Sequence, residues 1–214
     1  MSSVDHGPQD IEPVQAAALA RRRPAPGERR LAILQTLAHL LEQPGAERVT
    51  TALLARQLGV SEAALYRHFA SKAQMFEGLI DFIEDSVFGL VRQAIEREGE
   101  GEGVQAAAAI VTLVARFSEA NPGLARVIVG DALVLEHQRL QERMERFFDK
   151  IAAQLRQCLR PLAEAEGVAA PTAAVQLRAA LLVDLLRGRL QRFVRSSFRQ
   201  PPTRQLAEAL ALVL

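Results

Sequence analysis

Apolar residues return every three or four positions along most of this chain, and no segment alternates with period two. Leu31, Leu34, Leu37, Ala38 and Leu41 predict a first helix from about Glu28 to Gln43, ended by Pro44-Gly45. Thr50 or Thr51 caps a short second helix, "ALLARQL", which Gly59 stops. Ser61 caps a third, "EAALYRHF", and Ser71 a fourth that runs from Lys72 to about Glu98. A Gly/Glu-rich loop at 99–103 leads to a fifth helix, about Val104–Ala120. Asn121-Pro122-Gly123 breaks it and opens a short sixth. A long seventh follows from about Ala132 to Leu159, interrupted by Pro161 and "EGVAAP". Pro171 opens a long eighth reaching about Ser197, and "RQPP" separates a last helix, Thr203–Leu214.

The pattern predicts an all-α protein of about nine helices without internal repeats. Its organisation reads as an arm over 1–27, a helix-turn-helix head over 28–71 and a larger helical dimerisation body over 72–214. The arm, rich in Pro and small residues, reads as flexible. Its "RRRPAPGERR" run suits either phosphate contact or a solvated tail.

Composition sharpens this picture. Half the residues are apolar, mainly Ala, Leu and Val, with few aromatics and no Trp, a mixture that favours helices. The formal charge of +1 conceals an asymmetry. Residues 21–72 carry nine Lys or Arg against four acids, residues 1–20 carry three acids and no base, and the rest is nearly balanced. A basic head on a neutral body suits a polyanionic partner. Cys158 stands alone, which excludes an intrachain disulfide and a thiolate metal cluster and fits a reducing cytosol. No secretory signal and no charge-free window of membrane length is visible, so a cytoplasmic protein is expected.

The chemistry concentrates in "TTALLARQLGVSEAALYRHF", two short helices joined by a tight Gly turn. Ala55 is small enough for a close helix crossing, and Gly59 adopts a left-handed turn at little cost. Leu54, Val60 and Leu65 fill the shared core, while Ser61 leaves an amide-rich helix start facing outward. The outer face of the third helix carries Glu62, Ala63, Tyr66 and Arg67. Ala63 and Ala64 suit thymine methyls, and Glu62 suits the cytosine amino group. Thr50, Thr51, Tyr66, His68 and Lys72 suit phosphates, which position the protein without specifying sequence. The plainer alternative is a helical bundle with Tyr66 and Phe69 in its core and His68 on its surface.

Thr50-Thr51, Ala55, "GVS", "LYRHF" and Lys72 resemble the DNA-binding domain of the TetR family. The segments "FIEDS", "NPGLARVIVGDALVLEHQRLQERM", "IAAQLRQCLR" and "RFVRSSFRQPPT" extend the resemblance to that family's nucleoid-occlusion branch, over roughly residues 28–204. The resemblance implies a homodimer on palindromic double-stranded DNA, associated with the nucleoid. When DNA-bound it would inhibit assembly of the tubulin-like division protein FtsZ by contacting the FtsZ C-terminal tail. It also implies a partner groove between the fourth and fifth helices, where Phe82, Leu113 and Asn121 match the pattern. Arg116 and Ala120 exchange the character of the family's Gly and Arg, and Leu90 replaces a basic residue, with Arg92 close by.

Two other function classes weigh against this reading. A ligand-responsive repressor would enclose an apolar pocket, for which Phe76, Phe82, Phe88 and Phe117 are candidates, although a packed core uses the same residues. An enzyme finds little support. His6, His39, His68 and His137 form no metal-spaced cluster, and "GEGEG" lacks the preceding strand of a phosphate loop. No catalytic residue, cofactor, metal or obligatory small molecule is expected.

Overall fold

The computed structural model describes residues 26–43, 49–98, 103–165 and 170–214. Residues 1–25 of the predicted arm, the Pro44-Gly45 stop, Arg48, most of the 99–103 loop and most of "EGVAAP" lie outside the described residues, while Pro26 and Gly27 open the first helix instead of ending the arm. The described residues are all-α. The helices are α1 Pro26–Glu42, α2 Thr51–Leu58, α3 Glu62–Tyr66, α4 Lys72–Glu98 and α5 Gly103–Ala120. They continue with α6 Pro122–Ile128, α7 Gln138–Ala165, α8 Pro171–Arg195 and α9 Leu206–Ala211. The first three helices and the start of α4 form the head; α5, α6 and α7 pack against the rest of α4, and α8 and α9 pack on them to complete the body.

Four boundaries differ most from expectation. The third helix ends at Tyr66 rather than Phe69, with Arg67 and His68 in a turn. The seventh helix begins at Gln138 rather than Ala132, because Gly130 turns left-handed (φ 80°) into a single 3-10 turn, Asp131–Leu133. Val134 and Leu135, next in line, are exposed and give a helix there nothing to pack against. Pro161 does not end α7, which continues to Ala165. Proline inside a helix costs about 3 kcal/mol, but Pro161 lies on the exposed side while Leu159 and Ala163 are buried around it. Burial of that opposite face offsets the lost hydrogen bond. The C-terminal helix is shorter than Thr203–Leu214, because Gln205 is left-handed (φ 52°) and α9 starts only after it.

Head and body share one core. Leu37, Leu41, Leu54, Leu65 and Phe69 of the head belong to the same buried cluster as Val111, Val114, Phe147, Leu155 and Leu186 of the body. Phe76, Ile80, Ile83 and Val87 of α4 run through the middle of it. A second junction lies where α6 crosses α1: a Cβ on Gly123 would stand 2.0 Å from the Ala38 carbonyl oxygen. Only a residue without a side chain fits there.

An ionic ladder joins α4 to α7. Arg139 bonds Glu77 at 2.9 Å, Arg143 bridges Asp81 at 2.6 Å and Glu84 at 2.7 Å, and Lys150 reaches Glu84 at 3.0 Å. Burial opposes ionisation of Glu84, but hydrogen bonds and charges from Arg143 and Lys150 outweigh it and hold the carboxyl below its ordinary value.

Candidate nucleic-acid interface

The helix-turn-helix is built from caps. Leu53 N–H donates to the Thr50 hydroxyl oxygen at 3.2 Å, fixing the start of α2. Gly59 ends α2 in the left-handed region (φ 64°), and Val60 N–H returns to the Ala55 carbonyl. Ala64 N–H donates to Ser61 Oγ at 3.3 Å, fixing α3. Leu54, Ala55 and Leu65 are buried, and Val60 packs against them, as their spacing predicts. In both caps the hydroxyl oxygen is only an acceptor, so its own proton stays available to a phosphate.

Glu62, Ala63, Tyr66 and Arg67 are all exposed, which excludes a core role for Tyr66. Phe69 is fully buried, and Arg30 lies over its ring at 4.1 Å while donating to the His68 carbonyl at 2.7 Å. That clamp ties α1 to the end of the recognition segment and leaves the half-buried His68 ring beside Arg67 along a shallow groove. Ala64 is half-buried and lines the same groove, so Ala63 is the more accessible of the two alanines.

Two residues have partners that spacing did not reveal. Thr51 Oγ1 donates to Glu62 Oε2 at 2.6 Å, linking the starts of α2 and α3. Thr51 therefore spends its proton inside the protein, and one carboxylate oxygen of Glu62 is occupied. Lys72 bonds Glu136, in the segment between α6 and α7, at 2.5 Å. Arg30, Glu136 and the Thr51–Glu62 bond are contacts between residues distant in sequence, and no local pattern announces them.

The residues expected in a partner groove fall on α4, α5 and the α5–α6 junction. Phe82 of α4 is 40% exposed, whereas Phe76, Ile80, Ile83 and Val87 of the same helix are buried. Leu113 of α5 is half-buried and packs on the core. Asn121 donates to the Phe117 carbonyl at 2.8 Å, closing the end of α5. Leu113, Arg116 and Ala120 share one face of α5 by their spacing. Arg92 is exposed but lies about 80° around α4 from Phe82 at the helical 100° per residue, so the two do not share a face.

The head's sequence, residues 33–79, matches the family described as bacterial regulatory proteins, tetR family. Residues 103–214 match an SlmA-like domain described as Tetracyclin repressor-like, C-terminal domain. The nucleoid occlusion factor SlmA of Vibrio vulnificus is 46% identical over 186 residues, covering 86% of this chain and 93% of its own. The chain belongs to the SlmA family. Its relative in Cronobacter sakazakii is 47% identical over 188 residues, 86% of this chain and 92% of that one. The wider TetR fold is shared with solved structures at lower identity. The transcriptional regulator PfmR of Thermus thermophilus superposes with a TM-score of 0.67 at 22% identity, over 85% of this chain and 96% of that chain. The regulator FadR of Bacillus subtilis, in complex with stearoyl-CoA, does so at 0.66 and 14%, over 86% and 96%.

The matched span of 186 residues is longer than head or body alone, so the likeness runs through both. No described helix is long and apolar enough to cross a membrane. No group of three metal-ligating side chains is found among the described residues.

Proposed function

We propose that this protein is a nucleoid occlusion factor: a two-fold dimer that binds palindromic DNA and, when bound, antagonises FtsZ assembly over the chromosome. The observation that carries the reading is identity of 46% spread over nearly the full length of an SlmA relative rather than over the head alone. The head's chemistry supports it. Thr50 and Ser61 offer free hydroxyl protons to phosphates, Ala63 and Tyr66 stand exposed on α3, and Arg67, His68 and Lys72 follow. Thr51 and Glu62 serve first to hold the two helices in register.

A dimer is supported by α8. Leu177 and Leu181, 62% and 47% exposed, share one face of α8 with exposed Ala173, Ala180 and Gly188 and a single charge, Asp184. Small residues around two leucines let a symmetry mate approach closely, and a two-fold pair sets two recognition helices about one DNA turn apart. Phe82, Leu113 and Asn121, on the side of the body reached from α4, are the residues offered to the FtsZ C-terminal tail, with Arg92 at its margin.

The repressor alternative has less to stand on. Phe76 and Phe117 are buried in the core, and Phe88 packs on Phe147 with ring centroids 5.5 Å apart. Cavities of about 360, 250 and 160 Å³ open on the described surface, and none is lined by the four phenylalanines.

Sedimentation of FtsZ tests the proposal. A palindrome selected from random-sequence duplexes is added to the protein and FtsZ, and the pelleted fraction is compared with protein alone. Less FtsZ should pellet when protein and specific DNA are both present. If the duplex changes nothing, the division-factor reading fails and a plain repressor remains.

A further inference from the structure

Lys72 occupies the first position of α4, directly after the recognition segment, with Ser71 capping Gln74 N–H at 3.2 Å. That is where an ammonium meets a DNA backbone. Yet Lys72 Nζ is not turned to solvent: it donates to Glu136 Oε1 at 2.5 Å. The two side chains are 31% and 11% exposed, so the pair is partly shielded from water. Glu136 belongs to the body, 64 residues further along the chain. Below it on α4, Glu77, Asp81 and Glu84 supply the acids and α7 supplies the bases. The pair nearest the head has the opposite polarity.

We propose that Glu136 competes with the DNA backbone for Lys72. A carboxylate and a phosphodiester each present a singly charged pair of oxygens to the same ammonium. In the free protein Glu136 takes the phosphate's place. On DNA, Lys72 passes to the phosphate, and Glu136, left without its cation beside a negative duplex, is repelled. Glu136 thus lowers DNA affinity from a position outside the head, and DNA occupancy is registered in the body as a freed carboxylate. This inference rests on the DNA-binding reading of the head.

A double-mutant cycle on the full chain tests it. Anisotropy of a labelled duplex carrying the selected palindrome is measured for wild type, Lys72→Ala, Glu136→Gln and the double variant. Glu136→Gln should tighten binding by about two- to fivefold per protomer, the range for a partly exposed ion pair. Lys72→Ala should cost more affinity in the Glu136→Gln background than in wild type. Equal costs, or weaker binding by Glu136→Gln, would overturn the proposal and make Glu136 a positioning residue for Lys72. A larger cost of Lys72→Ala in wild type would mean that Lys72 bridges both anions, which also overturns it. If no variant prefers the palindrome over random duplex, the DNA reading itself fails. Glu136→Asp, which keeps the charge but withdraws it by one methylene, should tighten binding less than Gln does and provides a second variant if Gln melts early.

Discussion

A capping hydroxyl accepts one hydrogen bond and keeps a proton to give, and that economy marks Thr50 and Ser61. Thr50→Val removes both functions. It should lower stability by about 1 kcal/mol and weaken duplex binding besides, whereas Thr50→Ser should preserve both; thermal unfolding and anisotropy distinguish them. These caps were legible in the sequence because a cap and its amide lie three residues apart. Gly59 was legible for the same reason: one residue sets its own backbone angle. Thr51–Glu62 and Lys72–Glu136 were hidden, because their partners are 11 and 64 residues away and only the packed fold brings them together. Glu62 shows what that costs a sequence reading. Its type and place suit cytosine, but a hydroxyl 2.6 Å away already holds one of its oxygens.

Among the elements, helix existence followed from periodicity, while helix ends followed from tertiary contacts. Pro161 marks a stop in sequence, yet α7 continues past it for another turn, since burial around it outweighs a local preference. Gly123 shows the converse: "NPG" reads as a break, but the glycine is needed for the crossing with α1. Gly123→Ala should force α6 off α1 and lower stability by about 1–3 kcal/mol, read as a drop in Tm. The ladder between α4 and α7 yields a pH test. The Glu84 carboxyl is held below its ordinary value near 4.5, so its pairing stabilises the fold above that pH and is lost as pH falls through the lowered value. Glu84→Gln should therefore lower Tm at neutral pH, and the gap to wild type should close as the solution is made strongly acidic.

For the whole molecule, the largely apolar face of α8 decides whether one chain or two meet the DNA. Leu177→Glu adds a charge to that face and should give a folded monomer by sedimentation velocity, with palindrome affinity falling to that of a half-site. The head's likeness to other regulators, and the body's likeness to SlmA relatives, came from sequence patterns; the continuous core joining them did not, because contacts between distant segments leave no period. That continuity gives α4 a mechanical role. It has 27 residues, about 40 Å at 1.5 Å per residue, with Lys72 at one end and Phe82 about 15 Å along it. A rigid beam of that length turns a tilt of about 5° at the DNA into a displacement of roughly 3–4 Å at its far end. Pivoted at Lys72, the same tilt moves the exposed Phe82 by only about 1 Å, so angular adjustment of the head on its duplex arrives mainly at the far end of α4.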